Sequence, residues 1–155
     1  MLISLGSNIE PEKNLPLALK MLAEGSLILN TASIWQTPAI GSDGPDYLNT
    51  AVLMESHLPL DQLKVQLLLA IEGKLGRIRT TNKNADRTID LDILMYDGQC
   101  RDEELWSQAH IAVPASELLP DCTHPQSGET LTHAAQRLSA GSSFIKRTDL
   151  MFIDD

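Results

Sequence analysis

A chain of 155 residues can bury one ordinary core, and 43% hydrophobic with 21% charged residues excludes a disordered or membrane-resident composition. Twelve basic against 21 acidic side chains leave a formal net charge of −9, which repels a nucleic-acid backbone. MLISLGSN lacks a leader-like basic and apolar region, every apolar run is too short to span a bilayer, and Cys100 and Cys122 fall outside any CxxC spacing, so one cytoplasmic domain over 1–155 with reduced thiols, no membrane and no nucleic-acid partner is expected.

Leu2 to Leu5 is a short apolar run closed by Gly6-Ser7-Asn8, and it reads as a buried strand leaving through a tight turn. Leu15, Ala18, Leu19 and Leu22 recur at i, i+3, i+4 and i+7, which predicts a helix with Pro11 or Pro16 in its first turn and Gly25 at its end. Small and β-branched residues from Leu27 to Trp35 predict a second strand and Tyr47 to Met54 a third, joined by TPAIGSDGPD as a long hairpin. Pro59 opens a second helix with the stripe Leu60, Leu63, Leu67, Ala70 and Ile71; Glu72 lies near its end and Gly76 stops it. The polar TTNKNAD, 80–86, is a mobile loop feeding the apolar strand Thr88 to Tyr96. Beyond Asp97-Gly98, Ala115 to Leu119 reads as one helical turn and Leu131 to Leu138 as a short helix capped by Thr130, while the tail from Ile145 to Asp155 has no legible role. The order strand, helix, strand, strand, helix, strand matches an α+β ferredoxin-like sandwich, a mostly antiparallel sheet with helices packed on one face.

In TIDLDILMY the side chains alternate, so Asp90 and Asp92 share one surface about 7 Å apart along the strand, while Ile89, Leu91 and Ile93 face the other way. Adjacent like charges need a solvated face or a cation. Mg²⁺ held by one or two carboxylates plus substrate phosphates is the sharper reading, and two aspartates shown to water the blander one. Arg77, Arg79, Lys83 and Arg87 concentrate positive charge beside that strand, which suits a polyphosphate. The alternative is a solvated basic loop, or surface pairs with Asp86 and Glu72 that contribute little. TPAIGSDGPDYLN offers the Tyr47 face for stacking and the Asn49 amide as donor and acceptor, fitting a flat heterocycle, or else forming a plain hairpin turn. Asn8 could orient a site group, or serve as a cap or turn residue between strand and helix. No histidine has metal-ligand spacing, and GxGxxG, a P-loop and GxSxG are all missing, so any nucleotide site is built differently.

ISLGSN, TPAIGSDGPDYLN, E-x-x-x-G-R-I-R and RTIDLDIL, in that order over residues 2 to 98, together with the later AVPASELLP, resemble the signatures of the 6-hydroxymethyl-7,8-dihydropterin pyrophosphokinase family. The resemblance implies transfer of the diphosphoryl group of ATP to the hydroxymethyl oxygen of the pterin, giving AMP, in folate biosynthesis, with ATP as co-substrate and two Mg²⁺ ions. By position it implies Asp90 and Asp92 as metal ligands, with Arg79 and Arg87 completing the catalytic set. It places Glu72, Arg79, Arg87 and the Ile93 backbone near ATP, and Thr37, Ile40, Tyr47, Asn49 and His110 around the pterin, with the loop 80–86 closing over both substrates. Three features depart from the family. Asn84-Ala85-Asp86 stands where Trp-Gly-Pro is usual, the segment between Gly98 and His110 is shortened and lacks the usual His-Pro and following arginine, and His110 takes the place of an aromatic. At this level a non-catalytic pterin- or nucleotide-binding module stays open, as does an enzyme of the same class acting on another hydroxymethyl heterocycle.

Overall fold

In the computed structural model, which describes residues 1–150, strand β1 (Leu2–Ser7) is the centre from which the sheet is built. Alternation sends Ile3 and Leu5 into one hydrophobic cluster and Leu2 into another, so β1 is covered on both faces. Helix α1 (Pro11–Gly25) follows, with Pro11 in the first turn, where its missing N–H costs nothing, and Pro16 inside the helix. Its buried residues include the expected Leu15, Ala18, Leu19 and Leu22.

The predicted strand from Leu27 to Trp35 is two pieces, β2 (Leu27–Thr31) and β3 (Trp35–Thr37). Both pair antiparallel with β4 (Tyr47–Glu55), Thr31 opposite Val52 and Trp35 opposite Asn49. Between them Ala32 N–H still donates to Ala51 O, but Ser33 is drawn away by Glu117, which accepts from its N–H (3.2 Å) and its hydroxyl (2.8 Å). That contact is 84 residues distant in sequence, so local propensity carried no trace of the break.

The second helical rod runs through α2 (Leu60–Gln62), a π-helical segment (Leu63–Leu68) and α3 (Leu69–Lys74). The π segment displaces the expected stripe: Leu68 is buried and Leu67 only partly so, because i→i+5 bonding advances the buried face by one residue. Strand β5 (Asp90–Tyr96) then pairs with β1, and a turn with Asp97 and Gly98 at φ 53° and 76° leads into β6 (Gln99–Cys100). The sheet order is β6-β5-β1-β4-β3-β7, with β2 also on β4, and every pairing is antiparallel. This is the split β-α-β-β-α-β arrangement of an α+β ferredoxin-like fold, with α1 and the α2–α3 rod on one face, as expected.

The C-terminal part adds a layer the sequence only hinted at. A 3-10 turn (Glu103–Trp106), α4 (Ala109–Leu118) and α5 (Leu131–Ser139) cover part of the opposite face through Leu105, Ile111, Ala115, Leu131 and Ala134. The single turn expected from Ala115 to Leu119 is the C-terminal end of α4, which starts at Ala109 and carries Pro114 inside it; burial of Ile111, Ala112 and Ala115 offsets the missing bond. Thr130 caps α5 as expected, accepting from His133 N–H at 3.2 Å. Strand β7 (Ile145–Lys146) pairs with β3, and residues 151–155 of the tail lie outside the described residues. No helix among the described residues is long and apolar enough to cross a membrane. Leu105 is fully buried and anchors the 3-10 turn to the sheet. Leu105→Ala is therefore expected to lower stability by about 2–5 kcal/mol in a urea titration.

Candidate active site

On the face shared with α4 and α5, the centre of the sheet is left open. Strand register aligns Asp90, Gly6 and Asn49 across β5, β1 and β4, with Asp92, Ser4 and Ala51 in the row beneath. The two positions of β1 between the aspartates and Asn49 are small, and a Cβ on Gly6 would stand 2.9 Å from Asn49 Oδ1. Glycine at that position thus keeps the floor of a cleft of about 310 Å³ clear.

One wall of the cleft comes from Thr37, Pro38, Ile40 and Tyr47, and the opposite wall from Glu104, Gln108, His110 and Ile111. Asn49 is 5% exposed and its amide donates to Thr37 Oγ1 at 2.8 Å, which fixes its orientation and leaves its second N–H and its oxygen to a ligand. Burial lowers the His110 pKa from its ordinary 6.5, so the ring is neutral at pH 7. Burial also raises the Tyr47 phenol, with Arg87 opposing and Asp86 and Asp90 reinforcing the shift, so it too is uncharged.

Charge is arranged around β5 in a chain of pairs. Glu72, only 3% exposed, accepts from Arg77 Nη1 (2.8 Å), Arg79 Nη2 (2.6 Å) and Leu91 N–H (3.0 Å). Arg77 Nη1 reaches on to Asp90 Oδ1 (2.6 Å), and Arg87 Nη1 donates to Asp90 Oδ2 (2.8 Å) while its Nη2 donates to the Lys83 carbonyl. Burial works against the Arg77 charge, yet Asp90 and then Glu72 raise its pKa overall. Asp92 has no ion-pair partner among the described residues. Its carboxyl is pushed up to about 7, first by desolvation between the cleft walls and then by Asp90, Asp102 and Glu72, with Arg77 opposing. Asp92 is itself solvent-exposed, so the crowding of like charge around it holds the carboxyl up even where water reaches it.

A second hollow of about 270 Å³ lies beside the first, lined by Arg77, Ile78, Arg79, Thr80, Asn82, Lys83, Ala85, Asp86 and Arg87. Lys83 and Arg87 border both hollows. Of the residues singled out from sequence, the cleft gathers Thr37, Ile40, Tyr47, Asn49 and His110 with Arg87, Asp90 and Asp92. Arg79 belongs to the second hollow, Glu72 lines neither hollow but is buried against Arg77 and Arg79, and the Ile93 side chain packs into the cluster on the far face. The sequence missed Ser4, Glu104 and Gln108 as lining residues. It also missed that Arg77 is an internal strut, its side chain 10% exposed. For Glu104 and Gln108 the one available signal was Asp102, which caps the 3-10 turn by accepting from Glu104 N–H at 3.0 Å.

The family model described as 7,8-dihydro-6-hydroxymethylpterin-pyrophosphokinase matches residues 2–120. The chain is similar to the 2-amino-4-hydroxy-6-hydroxymethyldihydropteridine pyrophosphokinases of Synechocystis sp. (33% identical, covering 88% of this chain and 74% of the relative) and Haemophilus influenzae (33%, 81% and 84%). The Methylorubrum extorquens protein of the same name is 33% identical, with 88% of this chain and 91% of the relative covered.

Proposed function

The chain belongs to the 7,8-dihydro-6-hydroxymethylpterin-pyrophosphokinase family, and from that premise we propose how its own residues carry the reaction. The protein is an ATP-dependent pyrophosphokinase of folate biosynthesis, transferring pyrophosphate from ATP to hydroxymethyldihydropterin. In bond terms the hydroxymethyl oxygen gives up its proton to solvent and joins the β-phosphorus, the bond from that phosphorus to the α–β bridging oxygen breaks, and AMP leaves with that oxygen.

The observation that carries the residue assignment is the pair of adjacent hollows sharing Lys83 and Arg87, with Asp90 and Asp92 in the floor of one. The larger cleft would take the pterin. Tyr47 and neutral His110 offer ring faces, and Asn49 with Thr37 supplies a fixed donor and acceptor edge. The cationic hollow with Arg79 would take the nucleotide, its phosphates crossing toward the pterin over Lys83 and Arg87. Arg77, locked to Glu72 and Asp90, holds the carboxylates rather than the substrate. Catalysis on this view is positioning and charge stabilisation, with Arg87 turning from Asp90 to the phosphates when they arrive and the loop 80–86 excluding water.

Asp90 and Asp92 fit Mg²⁺, since both are hard oxygen donors and the Asp92 carboxylate has no cation paired with it among the described residues. Two bound Mg²⁺ ions would supply neutralisation of the triphosphate charge and of the negative charge developing on the leaving AMP oxygen. Residues 1–155 form one catalytic domain in this proposal, acting in the cytoplasm. The net charge of −9 argues against a nucleic-acid partner.

The pH dependence has a definite sign. A carboxyl at about 7 in the folded chain, against an ordinary 3.8, binds its proton more tightly when folded, so Asp92 favours folding at low pH and that contribution is lost as pH rises to about 7. Ionised Asp92 is the form that would hold Mg²⁺, the ion taking the place of the proton. The Mg²⁺-induced rise in Tm is thus expected to be larger at pH 8 than at pH 6, and equal shifts at the two values would contradict the assignment.

The direct test is an assay for AMP with ATP, Mg²⁺ and 6-hydroxymethyl-7,8-dihydropterin. AMP whose formation depends on the pterin supports the reading; binding of either ligand with no AMP release points to a non-catalytic module.

A further inference from the structure

Two loops carrying opposite sides of the site are fastened together through one buried side chain. Asn8 is 3% exposed in the turn after β1, and its carboxamide is engaged on every side. Its Nδ2 donates to Asp86 Oδ1 (2.8 Å) and to the Pro45 carbonyl (3.4 Å), and its Oδ1 accepts from Arg87 N–H (2.8 Å). The N–H groups of Asn8 and Ile9 both donate to the Arg87 carbonyl, at 3.1 and 3.2 Å. The backbone of the phosphate-facing arginine is thereby held at both ends.

The contact continues outward through glycines. A Cβ on Gly44 would stand 2.6 Å from Asp86 Oδ1, and one on Gly41, where φ is +71°, would stand 2.6 Å from Asn84 Nδ2. Two polar side chains of the loop leading to Arg87 therefore sit in notches that only glycine leaves in the loop leading to Tyr47. Asp86 and Arg87 are also close enough to act on the Tyr47 phenol in opposite directions.

We propose that Asp86, clasped by Asn8 and seated against Gly44, is a positioning residue that couples the two substrate sites, so that a ligand ordering the 38–46 loop also sets Arg87 for the nucleotide phosphates. The assignment of pterin and ATP to the two sites rests on the pyrophosphokinase reading above. The coupling is an equilibrium property and is reciprocal: each ligand changes the other's affinity by the same factor.

Calorimetric titration of the full chain with a non-hydrolysable ATP analogue and Mg²⁺, with and without saturating pterin alcohol, measures that factor. The wild type is expected to show about five-fold or more, and Asp86→Ala and Gly44→Ala less than about two-fold. Asp86→Asn, which keeps an acceptor oxygen for the Asn8 amide, is expected to retain the wild-type factor. A loss of packing alone would lower Tm and leave the factor unchanged. A factor near one in the wild type overturns the proposal, as does an undiminished factor in Gly44→Ala, which decides alone should Asp86→Ala fail to fold. Wild-type AMP formation is assayed separately: its absence would overturn the pyrophosphokinase reading, while the coupling of two bound ligands would still be measurable.

Discussion

Replacing Asp92 by asparagine is expected to cut pterin-dependent AMP formation by about 10²–10³-fold, the scale seen when one preorganised charge-stabilising group is removed, and to raise the Tm of the ligand-free protein above pH 7. The two effects come from one cause. Asp92 has no arginine partner among the described residues, and it faces Asp90, Asp102 and Glu72, so in the absence of a cation its charge is a burden on the fold. Removing that charge relieves the ligand-free protein and takes away a carboxylate that would hold Mg²⁺. Asp90→Asn separates the cases. It should lose activity to a similar degree but also lose stability, because Asp90 receives Arg77 at 2.6 Å and Arg87 at 2.8 Å. AMP assays beside thermal melts at pH 8 check both. An Asp92→Asn enzyme with wild-type turnover would remove Asp92 from the metal site, and a lower Tm would show that its charge is compensated.

Glu72→Ala is expected to be the most destabilising single change at the site, by about 3–5 kcal/mol for breaking a buried pair, or roughly 6–20 °C in Tm at about 2–4 °C per kcal/mol for a chain of this size. Its carboxylate is almost wholly buried and joins two arginines to the backbone of β5 through Leu91 N–H. Alanine leaves Arg77 interior with only Asp90 to meet it, and removes the strut that holds the aspartate-bearing end of β5 beside the helical rod. Arg79, 61% exposed, loses its partner but stays in water, so most of the cost arises at Arg77. A melt within about 2 °C of wild type, which on the same scale is about 1 kcal/mol or less, would contradict this account of the site's interior.

Much of the site is legible along the chain because it lies on regular elements. Strand alternation alone put Asp90 and Asp92 on one surface and Leu91 on the other, and the structure agrees, with Leu91 in the core and both aspartates in the cleft. The helical stripe of α1 and the Thr130 cap follow equally from local stereochemistry. The stripe of the second helix departs at Leu67, where Leu68 is the buried residue, while Leu63 and Ile71 are buried as expected; a π turn leaves no mark in hydrophobic spacing.

What the amino-acid sequence determined by itself is therefore whatever depends on neighbours a few residues away: which residues share a face, where α1, the second helical rod and α5 start, and the order of elements that defines the ferredoxin-like fold. Tertiary structure alone decided the partners. The arginines read as phosphate ligands or as surface pairs divide into Arg77 inside the protein and Arg79 at its surface, because burial depends on what β5 brings against the helix end. Asn8, readable along the chain either as a cap or turn residue or as one orienting a site group, joins segments 37 and 78 residues away. Such contacts form only when distant loops close upon one another, and each residue of a local window is compatible with many closures.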